Sequence, residues 1–186
     1  MVFAKIDLNL RKAVFLDRDG TLNSDPGYIC NPDDFHFFPG VPQTLSRLKE
    51  AGFLLVMVTN QSGIARGIIP PSALCAVHNK LQKELERFKA SFDRIYVCPH
   101  HPDFGKKLVC KCRKPFAGLA LQAISDLSID PKQSYGIGDK ESDALMAIAA
   151  GITPILLREG ICFSIGGVQT ASNLQEAVEL ILRKSS

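Results

Sequence analysis

The strongest constraint on the fold is a regular alternation of short apolar runs with segments of helical periodicity. The continuous apolar run at Phe53–Thr59 is typical of a strand covered on both faces. The alternation predicts an α/β fold, a Rossmann-like three-layer sandwich with a central parallel sheet and right-handed crossovers. The predicted strands are Ala13–Asp17, Phe53–Thr59, Arg94–Val97, Ser134–Gly138 and Thr153–Arg158. The predicted helices are Val41–Ala51, Ser72–Lys89 with Ser72 as its cap, Phe116–Leu127, Glu141–Ala150 and Leu174–Leu182.

The composition is that of an ordinary globular domain, so we expect residues 1–186 to form one domain. Hydrophobic residues make up 46% and charged residues 22%, which argues against disorder. A net charge of +3 is too small to predict a nucleic-acid partner. No apolar run is long enough to span a membrane, and the first residues, MVFAKIDLNLRK, lack the apolar segment of a signal peptide. We therefore expect a cytoplasmic monomer without a membrane partner.

Polar side chains follow three of the predicted strands. Because ligands of open parallel sheets bind beyond the carboxyl ends of the strands, we expect these side chains to meet at one edge of the sheet. They are Asp17 and Asp19, then Thr59 and Asn60, and finally Asp139 and Lys140.

The three carboxylates would repel one another at such an edge, and the repulsion indicates a bound cation. Oxygen ligands suit Mg²⁺, which commonly works on phosphates. An Asp-x-Asp-Gly sequence alone is weak evidence, because Asp before Gly often marks only a turn. The third carboxylate, at a second strand end, favours a catalytic interpretation. Positive charge for phosphoryl oxygens would come from Arg113, Lys114 and Lys140.

Three of the six cysteines fall close together, in the pattern C-x-H-x9-C-x-C. Thiolates with one imidazole are typical ligands of a structural zinc ion, and four ligands leave no open position for a substrate. The predicted ligands are Cys98, His100, Cys110 and Cys112. His100 is preferred over His101 because its spacing matches that of the two later cysteines. The alternative is a reduced loop with incidental cysteines.

Four motifs resemble, in order, those of the haloacid-dehalogenase-like phosphohydrolases. They are FLDRDGT at 15–21, VTN at 58–60, Lys114, and GDKESD at 138–143. Each motif alone is weakly specific, but four in the same order cover most of the chain. The resemblance implies a haloacid-dehalogenase-like fold. No insertion between the motifs is long enough for a cap domain, so we expect an open site beside a zinc-binding loop, 98–112.

The resemblance also implies a mechanism. Asp17 would attack phosphorus and form an aspartyl phosphate. Asp19 would protonate the leaving oxygen and then activate water. Mg²⁺ would be bound by the Asp17 carboxylate, the Asp19 backbone carbonyl and the Asp139 carboxylate. Thr59 and Lys114 would hold the oxygens of the transferring group.

Four longer segments resemble one subfamily closely, the D-glycero-D-manno-heptose 1,7-bisphosphate 7-phosphatases. The segments are DRDGTLNSDPGY at 17–28, TNQSGIARG at 59–67, YVCPHHP at 96–102 and CKCRKP at 110–115. The resemblance implies hydrolysis of the 7-phosphate, in ADP- or GDP-heptose precursor synthesis for lipopolysaccharide. Arg113 would recognise the distal phosphate, for which a bidentate guanidinium is suited. The implied substrate contacts are Asp25, Pro26, Gly27, Tyr28, Thr59, Asn60, Gln61, Ser62, Arg113, Lys114 and Lys140.

Two alternatives remain open at this point. Histidinol-phosphate phosphatases resemble the chain in the same catalytic and zinc motifs. A zinc-stabilised module that only binds phosphorylated ligands is the second, although a binder needs no pair of carboxylates facing a phosphate. The preferred anomer of the sugar is open, and the segment 159–169 carries no recognised motif. His78 lies opposite the apolar stripe of its helix, so we expect it to be solvated.

Overall fold

The central sheet has six parallel strands, in the order β3-β2-β1-β4-β5-β6. The strands were traced in a computed structural model that describes residues 10–106, 109–158 and 168–185. The strands are β1 Ala13–Leu16, β2 Leu54–Asn60, β3 Arg94–Cys98, β4 Tyr135–Gly138, β5 Thr153–Leu157 and β6 Gln169–Ala171. The predicted parallel α/β sandwich is confirmed. Strand β6 was not predicted, because its three residues, Gln-Thr-Ala, form no apolar run.

Within the described residues, five α-helices connect and flank the strands. They are α1 Val41–Glu50, α2 Pro71–Glu86, α3 Gly118–Leu127, α4 Glu141–Ala149 and α5 Leu174–Ser185. The predicted cap of α2 at Ser72 is wrong, because the helix begins at Pro71 after Pro70, and Pro70 makes no side-chain cap. Proline suits the first helical position, where its fixed φ is helical and its missing N–H would have no partner. The segment 159–167 lies outside the described residues.

Alternate side chains of the central strands enter two separate cores, which makes the fold a three-layer sandwich. Val14 and Leu16 of β1 pack in one core with the buried faces of α1, α2 and α5. Ala13 and Phe15 of the same strand pack in the other core with α3 and α4. This alternation follows from the two-residue period of a strand.

The strand order places the end of β1 at the centre of the carboxyl edge. Leu16 of β1 pairs with Met57 of β2 on one side and with Ile137 of β4 on the other. The chain runs outward from β1 to β3 and then returns at β4, so a crevice forms between the loops after β1 and β4. Gly20 has a positive φ of 89° and lies so close to the Asp139 carboxylate that an added Cβ would collide with it.

No additional domain covers this edge in the described ranges. The chain from β1 to β2 holds a 3-10 turn at Pro32–Asp34 and helix α1, and the chain from β2 to β3 holds α2. The carboxyl edge is therefore open, as expected without a cap domain. Among the helices of the described residues, none has the length and apolar character to cross a membrane.

Leu48 of α1 tests the packing of the larger core, because its side chain has no exposed surface. Leu48→Ala is expected to lower the free energy of unfolding by about 2–5 kcal/mol, through lost burial and a residual cavity. Urea unfolding measures the change. The control is Leu121→Ala on α3, where the side chain is 51% exposed and a loss below about 1 kcal/mol is expected. Equal losses for the two variants would contradict this description of the core.

Candidate active site

A cavity of about 480 Å³ opens at the carboxyl edge of the sheet. It brings together nearly all of the residues predicted to contact substrate, from four separate stretches of the chain. Pro26 is not among the lining residues, and Asp139 lies just behind the wall, beside Gly20. The lining residues are Asp17, Asp19, Asp25, Gly27, Tyr28, Thr59, Asn60, Gln61, Ser62, Arg113, Lys114, Lys140 and Ser142.

A buried ion cluster forms the floor of the cavity. Lys114 Nζ lies 2.8 Å from Asp17 Oδ1 and 2.6 Å from Asp143 Oδ1, and it donates to the Val58 carbonyl at 2.8 Å. Burial acts to lower the pKa of Lys114, but the two carboxylates outweigh it and raise the pKa, so the ammonium stays charged. Burial raises the pKa of Asp17 to about 6, against the attraction of Lys114 and with a further rise from Asp143.

Hydrogen bonds between side chains and the backbone position Lys114 and Asp143. Asn60, at the end of β2, accepts from the Lys114 amide at 3.1 Å and donates to the Lys114 carbonyl at 3.2 Å. Asp143, in the first turn of α4, accepts from the Lys140 amide at 3.0 Å. Gly138 permits this turn, because an added Cβ there would collide with the Asp143 carboxylate.

Asp143 was not among the site residues predicted from the sequence. Its signal was present in GDKESD, where a second aspartate follows Asp139 by four residues at the start of a helix. An acid in the first turn of a helix is ordinarily explained by the helix dipole. Only the tertiary structure shows that this one pairs with Lys114.

Asp19 is held by four N–H donors, two on each carboxylate oxygen. Arg18 Nε donates to Oδ1 at 2.9 Å and Nη2 donates to Oδ2 at 2.7 Å. Asn23 Nδ2 donates to Oδ1 at 2.9 Å, and Gln61 Nε2 donates to Oδ2 at 2.8 Å and to Thr59 Oγ1 at 3.0 Å. Burial acts to raise the pKa of Asp19, but Arg18, Asn23 and Gln61 together lower it below its usual value.

His78 does not lie on a solvated face, and the prediction that it would is wrong. Its Nε2 is 3.3 Å from Nη1 of Arg18, whose side chain has no exposed surface. Burial, with the nearby charge of Arg18, lowers the pKa of His78 to about 4. His78 is four residues after Leu74 and three before Leu81, so it lies beside the apolar stripe of α2, where it meets a buried arginine. Helical spacing is thus consistent with partial burial at this position but does not identify the partner.

Two cationic side chains stand at the mouth of the cavity. Lys140 Nζ is 2.9 Å from Asp25 Oδ2, and the two side chains are 53% and 37% exposed. Arg113 Nη1 donates to the His100 carbonyl at 3.2 Å. Tyr28 packs with its ring against Gly63, where a Cβ would collide with it. The cavity lining therefore offers positive charge in addition to that of the buried Lys114.

Three carboxylates beside Lys114 could hold a divalent cation. Oxygens of Asp17, Asp139 and Asp143 all lie within 4.8 Å of one another. Asp139 Oδ1 is buried and has no hydrogen-bond partner, which is costly for a carboxylate oxygen unless a cation faces it. Burial raises the pKa of Asp139, and this also favours a charge-neutralising ligand. Oxygen donors of this kind fit Mg²⁺.

The four predicted zinc ligands are brought together. His100 Nδ1 lies 3.1 Å from Cys112 Sγ, and Cys98 Sγ lies 3.3 Å from Cys112 Sγ and 3.8 Å from Cys110 Sγ. A tetrahedral site with Zn–S bonds of about 2.3 Å has edges of about 3.8 Å, so the cluster has the size of a zinc site. The next residues after Cys112 are Arg113 and Lys114, so a metal here would fix the loop that carries both.

We expect the purified protein to contain one zinc ion per chain. Replacing Cys112 by Ser is expected to reduce the zinc content and lower the melting temperature, because the metal holds a loop with little core of its own. Plasma mass spectrometry measures the metal. Cys75→Ser is the matched control, since Cys75 is exposed and outside the cluster. A folded, active sample without zinc would contradict the prediction.

Comparison with known proteins gives the family. A family model described as HAD-hydrolase-like matches residues 111–175. A protein of Haemophilus ducreyi named D-glycero-beta-D-manno-heptose-1,7-bisphosphate 7-phosphatase is 46% identical over 178 residues, covering 92% of this chain and 97% of that protein. An Escherichia coli K12 protein of the same name is 44% identical and covers 80% of each chain. This chain belongs to the heptose-bisphosphate phosphatase family of haloacid-dehalogenase-like hydrolases.

A solved member of the heptose-bisphosphate phosphatase family has the same fold. The crystal structure of D,D-heptose 1,7-bisphosphate phosphatase from B. bronchiseptica superposes with a TM-score of 0.82 at 32% identity, over 93% of this chain and 99% of that chain. That protein was crystallised in complex with magnesium and phosphate. The family resemblance predicted from the motifs is confirmed.

Proposed function

We propose that this protein is a phosphoric monoester hydrolase that removes the 7-phosphate of D-glycero-β-D-manno-heptose 1,7-bisphosphate. The observation that carries the proposal is the convergence of Asp17, Asp19 and Lys114 in one cavity with Arg113 and Lys140 at its mouth. The names of the relatives support the heptose substrate and favour the β anomer, which sequence motifs left open.

The first half of the reaction forms a covalent intermediate. An Asp17 carboxylate oxygen attacks phosphorus, while the bond between phosphorus and the C7 oxygen breaks. Asp19, whose pKa is lowered in the substrate-free site, must take up a proton when substrate binds and then gives it to that leaving oxygen. Lys114 and the Thr59 hydroxyl hold the oxygens of the transferring group, where charge develops in the transition state.

The second half returns the enzyme to its starting form. Asp19, now a carboxylate, takes a proton from a water molecule, and that water attacks phosphorus. The bond from phosphorus to the Asp17 oxygen breaks, which releases inorganic phosphate and leaves Asp17 as a carboxylate. One group serves as acid and then as base because the two half-reactions leave it in complementary protonation states.

Two metals belong to this proposal. The carboxylates of Asp17 and Asp139, with the backbone carbonyl of Asp19, would hold Mg²⁺. When bound, Mg²⁺ supplies positive charge that offsets the repulsion between the anionic phosphate and the carboxylates. Zinc would be held by Cys98, His100, Cys110 and Cys112 in a structural role.

The second phosphate of the substrate gives a reason for the charges at the mouth. Arg113 and Lys140 are placed to bind an anionic group held away from the buried cluster. The ion pair between Lys140 and Asp25 is exposed, so it is weak enough for a phosphate to compete with Asp25. Gly27 and Tyr28 border the same opening. We therefore assign the bisphosphate preference to this mouth.

The proposal extends to the pathway, the compartment and the oligomeric state. The protein would act in the cytoplasm as a monomer of a single domain, residues 1–186, in the synthesis of ADP- or GDP-heptose precursors. Neither a nucleic acid nor a membrane is a partner. Histidinol phosphate is the second candidate substrate, because its hydrolysis would need the same catalytic groups.

A panel of phosphate esters separates these substrates. With Mg²⁺ present, we expect the highest kcat/KM for the β anomer of heptose 1,7-bisphosphate, since the mouth offers charge to a second phosphate. The comparison compounds are the α anomer, fructose 1,6-bisphosphate and histidinol phosphate. Released phosphate is measured by a colorimetric assay. Preference for histidinol phosphate would overturn the proposed substrate while keeping the mechanism, and no turnover of any compound would overturn both.

Asp17→Asn tests the nucleophile. An amide cannot form the phosphorylated intermediate, so kcat is expected to fall at least about a thousandfold. Zinc content and the melting transition should show a folded protein. Asp103→Asn is the control, because the Asp103 side chain is 78% exposed in the zinc loop and is not among the residues that line the cavity. Turnover near that of the unaltered protein would show that Asp17 is not the nucleophile.

A further inference from the structure

Arg18 supplies two of the four N–H donors that hold the Asp19 carboxylate, and Asn23 and Gln61 supply one each. The guanidinium donates from Nε and Nη2 to the two carboxylate oxygens, at 2.9 Å and 2.7 Å. This two-point contact fixes the plane of the carboxylate as well as its position, because the guanidinium is planar. Whatever fixes the orientation of Arg18 therefore also contributes to the orientation of Asp19.

Arg18 has its remaining terminal nitrogen directed at His78 on α2. Nη1 lies 3.3 Å from His78 Nε2. A guanidinium has only donors, so Nε2 must be the acceptor, and His78 is the neutral tautomer with its proton on Nδ1. The Arg18 side chain has no exposed surface, so water cannot replace this acceptor without a rearrangement.

We propose that His78 is a positioning residue for phosphoryl transfer, which it influences by orienting Arg18 and, through Arg18, the Asp19 carboxylate. The inference rests on the proposed function, in which Asp19 protonates the leaving oxygen. His78 itself touches neither Asp19 nor the cavity. It is thus distinct from the residues that contact substrate.

Loss of the acceptor has a defined consequence. A buried N–H of Arg18 would be left without a partner, and the guanidinium would turn toward another acceptor. Because Nε and Nη2 move with it, the Asp19 carboxylate would leave the position from which it reaches the leaving oxygen. Small misplacements of a catalytic group reduce rates strongly.

Comparing two leaving groups distinguishes a misplaced Asp19 from a general loss of structure, which would lower kcat/KM for both substrates alike. An alkoxide of a sugar needs a proton as it departs, whereas p-nitrophenolate is stable without one. kcat/KM reports only the steps through formation of the aspartyl phosphate. A misplaced Asp19 should therefore lower kcat/KM for heptose 1,7-bisphosphate and spare kcat/KM for p-nitrophenyl phosphate.

The experiment compares variants of the zinc-loaded protein with Mg²⁺ on both substrates. His78→Leu removes the acceptor, and His78→Gln restores one. Asn79→Leu, at the next and exposed position of α2, is the matched control. Asp19→Asn removes the acid itself, so it gives the largest loss of kcat/KM that a misplaced Asp19 could cause. His78→Met is a second acceptor-free variant in case His78→Leu does not fold, and melting curves and zinc content check folding.

We expect His78→Leu to lower kcat/KM for heptose 1,7-bisphosphate about tenfold, and that for p-nitrophenyl phosphate less than about twofold. His78→Gln should recover most of the loss, and Asn79→Leu should change neither value. Equal losses on both substrates, or no loss, would overturn the inference while leaving the proposed function intact. An unaltered protein inactive on the sugar bisphosphate would overturn the proposed function and the inference with it.

Discussion

The site depends on one buried interaction, the pairing of Lys114 with Asp17 and Asp143. The three residues come from the ends of three separate elements: β1, the loop after the zinc ligands, and the first turn of α4. Buried charges are tolerated only when they are paired, so the cluster constrains all three elements together. Its two carboxylates and the neighbouring Asp139 exceed the single positive charge of Lys114. The remaining negative charge favours a cation, and the fold supplies oxygens for one.

Several parts of the fold can be understood as holding that cluster. Asn60 fixes the Lys114 backbone from the end of β2. Gly20 lies against the Asp139 carboxylate and Gly138 against the Asp143 carboxylate, and a Cβ at either glycine would collide with its neighbour. The Cys/His cluster immediately precedes Arg113 and Lys114, so a structural metal there would order both the buried lysine and the cation at the mouth. The same loop therefore carries the proposed zinc ligands, which would stabilise the fold. It also carries Lys114 and Arg113, which would contact the two phosphates of the substrate.

The sequence predicted the order of strands and helices because apolar periodicity reports directly on burial. It placed Asp17, Thr59 and Asp139 correctly at one edge, since strand exits in a parallel sheet meet there by topology. It failed where a residue's role depends on its partner. Asp143 resembled an ordinary acid of a first helical turn. His78 faces a buried arginine 60 residues away in the chain, and no local pattern records such a contact.

The central claim is that Asp17, beside Lys114, accepts the phosphoryl group. The most direct measurement is acid quench of the reaction during turnover of heptose 1,7-bisphosphate with Mg²⁺, followed by borohydride reduction and peptide mass spectrometry. An acyl phosphate at Asp17 is reduced to an alcohol, so the account predicts homoserine at position 17 and at no other aspartate. Steady phosphate release with Asp17 unmodified, or homoserine at Asp19, Asp139 or Asp143 instead, would contradict it.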